Sequence, residues 1–525
     1  MNKKKLIFVL LVLFFSCKKY NDTSWGTEVL MPLLNSTLKI DNLIADSLLK
    51  KYPDNSLKLV YENPFYEFSI DSLFEIPDTL KENIFHSFFS VPVHFLPEAL
   101  IFSQVDKYSL NVSNTKLIKI IIRKGFLKFH IRSTINGLMQ CDYKIFNALK
   151  NGSPFNISEI VPAAQIGGNS EVIKYFDISG YTFILTGTTG LEFNTVSTKL
   201  SISTATDSVW INPNDTMSVE SGFVGIEAQY IKGYMGTETF SVGPSSANID
   251  LFKKITGGTI KVEDITFSAH FKNSFGIDAT ATIKQLTSIN TRTNTTVALN
   301  SNIVGKPINL TRASENIYDN TVAATNTNIN IENFAAKPFF ENMPDKIGYA
   351  IELITDPLGN ISGGNDFIYY GKGLKVNFNM EIPLSLIANQ LTLADTAAFN
   401  LKIDDFRKSI KSGAFNLIAD NGFPFDANVQ LLLLNEQNKI VDSLFSANLI
   451  KAAPVDVNYI ATSIVRTIIV VPMPKAKMNE LYETKKIIVR VRFNTNPDNK
   501  YLKIYSDYSM KLKLTADLKF DINSK

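Results

Sequence analysis

The chain is poor in the residues that most often carry chemistry. Two cysteines, two tryptophans and four histidines are spread over 525 residues. Cys17 ends an N-terminal apolar stretch, which leaves Cys141 as the only other thiol, so a disulfide framework is excluded. Cys141 lies in the apolar-leaning stretch 138–145 with no flanking cation, which predicts a buried, inert thiol. The four histidines, His86, His94, His130 and His270, show no zinc-ligand spacing. His130 and His270 fall on the polar faces of alternating segments. Charge of one sign is also lacking. The chain has 53 basic and 50 acidic residues, and loss of Lys3, Lys4 and Lys5 with a leader would leave 50 of each. That balance excludes nucleic acid and an anionic lipid surface as electrostatic partners.

Long apolar runs are missing as well. The longest, from Leu6 to Phe15, is about half of what a membrane-spanning helix needs. Preceded by Lys3, Lys4 and Lys5 and followed by Ser16-Cys17, it reads as a lipoprotein signal cleaved before Cys17. Phe14 departs from the leucine usual in such signals. Acyl chains on Cys17 would hold the protein stably on a membrane, because two or three chains bury enough methylene groups to anchor it.

No nucleophile elbow, phosphate-binding loop or dinucleotide fingerprint occurs. Asp404-Asp405 are neighbours that a strand would point to opposite faces, which argues against paired acid–base work. Asp356, Asn360, Asn365 and Asp366 share a glycine-containing segment whose hard oxygens suit calcium, but their spacing matches no EF-hand and reads as a polar loop. Trp25 and Trp210 suit core or interface packing, with a sugar platform as the alternative. The reading that follows is non-enzymatic, with no cofactor and no metal.

What is present is alternation. Met510, Leu512, Leu514, Ala516, Leu518, Phe520 and Ile522 alternate with polar residues, predicting one long half-buried strand. Val489, Val491 and Phe493, and Leu127, Phe129 and Ile131, do the same. Turn pairs such as Asn151-Gly152 and Asn421-Gly422 punctuate the runs. Only 40–50, 337–342 and 476–484 read as helices. The fold class is therefore all-β: tandem, elongated, antiparallel sandwich-like domains with few short helices. The expected division is a signal peptide at 1–16, acylated Cys17 and tether at 17–24, and β domains at 25–160, 161–310 and 311–525. An internal repeat runs through it. Asn273-Ser274-Phe275-Gly276-Ile277-Asp278-Ala279 matches Asn421-Gly422-Phe423-Pro424-Phe425-Asp426-Ala427 at asparagine, phenylalanine, aspartate and alanine. Each follows a strand-like run, which predicts a duplicated strand–bend–strand unit.

Asp followed by Ser or Thr and then a small or aliphatic residue occurs at Ser47, Ser72, Thr79, Ser208, Thr216, Thr396 and Ser443. The pattern is similar to the O-glycosylation sequon of exported Bacteroidota proteins, and equally to ordinary turn chemistry before strands. Together with the signal, the opening Trp25, Pro32-Leu33, Leu57-Lys58-Leu59-Val60 and Ile70-Asp71-Ser72-Leu73 resemble the large Bacteroidota outer-membrane lipoproteins. The resemblance covers about the first 80 residues. It implies lipid attachment at the outer membrane. Lys18-Lys19-Tyr20-Asn21 departs from the acidic start associated with surface export and so favours the periplasmic face. Three roles stay open: an accessory subunit of an envelope complex, for example in outer-membrane protein assembly or secretion; a carrier of a lipid or other hydrophobic ligand; and a glycan-binding surface protein.

Overall fold

The computed structural model describes residues 24–40, 46–69, 76–112, 114–316, 321–399, 410–445, 448–474, 480–481, 483–495 and 500–523. In chain order the principal strands begin with β1 (Ser24–Lys39), β2 (Leu57–Ser69), β3 (Lys116–Ser133) and β4 (Thr216–Tyr234). They continue with β5 (Thr239–Asn248), β6 (Thr266–Asn273), β7 (Ala279–Asn290) and β8 (Thr325–Ile331), followed by helix α1 (Asn333–Glu341). Next come β9 (Lys346–Thr355), β10 (Asp366–Tyr369), β11 (Gly373–Pro383) and β12 (Ser385–Ala398). The last are β13 (Ile410–Asn421), β14 (Asp426–Leu434), β15 (Val465–Pro474), β16 (Lys486–Asn494) and β17 (Ser509–Asn523). The protein is all-β, and the ladders between its described strands are antiparallel, as the alternation predicts.

β17 shows how the pattern becomes structure. Met510, Leu512, Leu514, Ala516, Leu518 and Phe520 all turn into the core, while Lys511 and Lys513 stay outside. Each large side chain buried there contributes about 1.5–3 kcal/mol, and a one-residue slip would expose the whole row. That penalty fixes the register against β1, which runs from Ser24↔Asn523 to Lys39↔Ser509.

The sheets reveal a duplication wider than the heptapeptide. One pair of sheets has the orders β2–β11–β6–β8 and β5–β9–β7. The other pair has β1–β17–β13–β15 and β12–β16–β14. Strand for strand these are the same arrangement, with β1 standing for β2, β12 to β16 for β5 to β9, and β17 for β11. In the first unit the two sheets face each other through Phe65 and Tyr349, whose rings are 4.6 Å apart, and through Phe68 and Phe240 at 5.2 Å. We call the units the first and second sandwich. Each takes its opening strand from the N-terminal segment.

Between β2 and β5 the chain builds an inserted body, nine strands of a ten-stranded sheet centred on the β3–β4 pair, and β10 supplies the tenth at its edge. The three consecutive segments expected from sequence do not follow these sheets. The strand Ser153–Val161 runs across the 160/161 boundary, and β7 pairs with β9 across 310/311. Strands pair by matching apolar faces, and here the matching faces are far apart in sequence.

The helix expected at 337–342 is the later part of α1, which starts four residues earlier. At 40–50 the structure instead has a 3-10 turn, Asp46–Leu48, running into a short strand, Leu49–Lys51, that pairs with β2. The segment 476–484 lies mostly outside the described residues.

Candidate functional site

The repeated asparagine bend organises the sandwiches. Asn273 donates through Nδ2 to the carbonyls of Ile277 (3.3 Å) and Thr311 (3.0 Å), and its Oδ1 accepts from the Phe275 N–H (2.9 Å). Asn421 makes the same three bonds, to Phe425 (2.9 Å), Lys451 (3.0 Å) and Phe423 (3.0 Å). The aspartates that follow also correspond. Asp278 accepts from the Arg312 N–H and Asp426 from the Ala452 N–H. The four identities in the sequence are thus the residues that make or pack the bend.

The two bends differ where the first sandwich meets the inserted body. After β9 the chain runs out as a strap, 356–372, that includes β10. β10 pairs with β4, from Tyr230↔Tyr369 to Gly233↔Asp366. Phe367 lies directly on Gly276, where an added Cβ would stand 2.2 Å from its ring. The second sandwich has Pro424 at that position, so the small residue belongs to the strap and not to the bend.

The strap brings Asp356 and Asp366 together, 3% and 1% exposed. Arg312 holds Asp366 Oδ1 at 3.0 Å, but Oδ2 of each aspartate has no hydrogen-bond partner. Burial, then the neighbouring Asp366 carboxylate, pushes the Asp356 carboxyl up to about 7. Burial likewise raises Asp366, opposed by Ser362 and Arg312. Asn360 and Asn365, grouped with these aspartates by sequence, instead close the loop: Asn360 Oδ1 accepts the Gly364 N–H, and Asn365 bonds to Ser362. Among the described residues no group of three or more His, Cys, Asp or Glu side chains is placed to hold a metal. Sequence spacing pointed to this loop. Arg312 and Gly276, which complete it, carry no local signal.

Beyond the strap is a cleft of about 590 Å³, lined by Asp78, Asn111, Arg123, Glu227, Gln229 and Tyr370 among others. Arg123 stacks over the Tyr370 ring at 3.8 Å and pairs with Glu227.

No family model matches the chain. No curated protein matches it either. Among solved structures it is similar to a candidate secreted protein of Parabacteroides distasonis, 11% identical, over 93% of this chain and 99% of that one, with a TM-score of 0.28. It is also similar to empty particles of Cowpea mosaic virus, 7% identical, over 56% and 91%, with a TM-score of 0.13. Broad bean stain virus aligns at 10% identity over 60% and 90%, with a TM-score of 0.14. Likeness at this level carries no argument about role.

The other sequence-predicted residues are scattered. Cys17 and Ser72 lie outside the described residues, as do Asp404 and Asp405. Ser47, Ser208 and Thr396 are exposed, whereas Thr79, Thr216 and Ser443 are half-buried. The Thr79 hydroxyl oxygen is sealed from solvent. Cys141 is fully buried, and burial pushes its thiol far up. His130 sits on the outer face as expected, but Glu171 (2.6 Å) and Glu220 (3.5 Å) enclose it. No helix among the described residues is long and apolar enough to cross a membrane.

Trp210 is not core. It is 56% exposed on the inserted body, stacked on His94 at 4.8 Å through the pairing of Val209–Ile211 with Val93–Phe95. On the other face of the strand Val93–Phe95, Phe95 packs with Phe89 (5.7 Å) against the core, and Phe88, 4.4 Å from Phe89, is 80% exposed. Val91 and Leu96 in the same segment are also exposed. Of these residues only Trp210 is singled out by sequence, because 87–92 shows no period that distinguishes inward from outward.

Proposed function

We propose that the protein is a non-enzymatic lipoprotein, anchored through Cys17 at the periplasmic face of the outer membrane, that serves as an accessory subunit of an envelope protein complex. The observation that carries this reading is the aromatic patch of the inserted body. Phe88, Val91, Leu96 and Trp210 are each exposed on the inserted body, and exposed large apolar side chains concentrated in one region mark contacts with other macromolecules. The two sandwiches supply the rigid base. The opening strand of the second sandwich, β1, starts seven residues after Cys17, so the lipid would hold that sandwich close to the membrane.

The test is purification in mild detergent from the native membrane, followed by mass spectrometry of what accompanies the protein. A stoichiometric envelope protein that is lost from a Phe88→Ser, Trp210→Ser double variant is the expected result. A protein that always purifies alone would refute the reading.

The exposed indole favours glycan capture as the second reading, since a tryptophan face suits a sugar ring. Binding to a polysaccharide panel, abolished by Trp210→Ala, would establish it. The hydrophobic-carrier role finds less support. The apolar cavity lined by Leu59, Phe252, Leu386, Leu393 and Phe493 is about 60 Å³, room for a few water molecules and too little for an acyl chain.

A further inference from the structure

We propose that the strap is a proton-operated latch: Asp356 and Asp366 share one proton that docks β10 onto the inserted body, and loss of that proton releases it. The geometry supports this in three ways. Two buried carboxylates influence each other directly, and each keeps one oxygen without a donor. Two facing acceptors with no donor between them need a proton, since a buried, unpaired charge is costly. The second sandwich has alanine, Ala452, at the position of Arg312 and Pro424 at the position of Gly276. The fold therefore builds its bend without this cluster, and the cluster belongs to the contact with the inserted body.

The charges around the pair do not supply a substitute. Arg312 is the cation in contact, bonded to Asp366 and to the Asn365 carbonyl. Asp278, at the entry to β7, adds a third negative charge and is engaged by the Arg312 N–H. From the inserted body's end of the chain the Met235 N–H reaches Asp366. Lys232 on β4 is committed to Glu315 at 2.8 Å, and Glu238 accepts from Asn114. Three carboxylates thus face one guanidinium. Asp366, held by Arg312, keeps its charge, and Asp356 carries the proton and donates it to Asp366.

Closed, the latch holds four residue pairs between β10 and β4. The experiment is hydrogen exchange of the full-length protein, resolved at residues 366–370 and 230–233 and corrected for the intrinsic pH dependence of exchange. Because the Asp356 carboxyl sits near 7 when docked and near 3.8 when freed, protection should fall roughly thirtyfold between about pH 5.5 and 8.5. β17 should show no such change. Asp356→Asn keeps a donor toward Asp366 without a titrating proton and should remain protected throughout, whereas Asp366→Asn removes the neighbouring charge but not the burial and should weaken the pH dependence without abolishing it. Wild-type protection that stays flat, or an Asp356→Asn strap that opens as wild type does, would overturn the proposal. So would calcium at about 1 mM restoring protection at high pH, which would make the pair a cation site. If calcium has no effect, the proton reading stands.

Discussion

Replacing Asn421 by alanine should cost the second sandwich far more than a typical polar-to-alanine change. The side chain is fully buried and makes three hydrogen bonds, two donated to carbonyls and one accepted from an N–H. Alanine removes all three and leaves two carbonyls and one N–H facing a space with no partner. At about 1–3 kcal/mol for each stranded buried group, and with some rescue by water, the loss should be about 3–5 kcal/mol. Asn273→Ala should do the same to the first sandwich, because its bonds are equivalent and it is almost as buried. Hydrogen exchange is the suitable assay, since three bodies need not unfold as one and the loss must be read locally. Protection at β14 and β17 should fall by about two to four orders of magnitude in Asn421→Ala and stay unchanged at β7 and β11, with the reverse in Asn273→Ala. Losses under about 1 kcal/mol in both variants would show that the bends are held by packing alone. An equal loss in both sandwiches from either variant would show that the two units are not separate.

Gly276→Ala should detach the strap without harming the bend, because the new Cβ meets Phe367; exchange at 366–370 should rise while β6 and β7 hold. Asp356 also makes a signed contribution to stability. Its carboxyl is raised when folded, so the contribution is fully present below about 3.8, is lost as pH rises to about 7, and stays lost above. Urea midpoints of wild type minus Asp356→Asn should therefore decline across that window, and a constant difference would refute the assignment. Cys141 should resist thiol reagents until the inserted body opens, with labelling in native buffer much slower than in urea; prompt labelling would contradict its burial.

Much of this architecture is legible in the chain, for reasons that can be named. β17 declares itself because one of its faces is entirely core, so burial imposes strict alternation. The bends declare themselves because Asn273 and Asn421 each make two of their three bonds to backbone groups within four residues, which preserves a short motif. The insertion does not declare itself. Nothing local tells β2 that its neighbour is β11, or β1 that its neighbour is β17, since those pairings rest on complementary faces hundreds of residues apart. The acid pair is half legible. The sequence reads Asp356 and Asp366 as part of a polar loop, and their burial and the ion pair of Asp366 with Arg312 come from tertiary contact. Trp210 reads from sequence as core or interface packing, and its pairing with the strand Val93–Phe95 turns it outward.

The ladder between β1 and β17 also sets a timetable. β1 is the first of the described strands to be synthesised and β17 the last, and β2 must likewise wait for β11. Neither sandwich can close its sheet until almost its whole sequence has been made, whereas the inserted body draws on 79–234 and lacks only the β10 edge. Such distant pairings are slow to form and leave apolar edges open meanwhile. The order of assembly should therefore run from the middle outward: the inserted body first, then the first sandwich, then the second. A chain shortened by its final strand would keep an inserted body that folds and a second sandwich that never does.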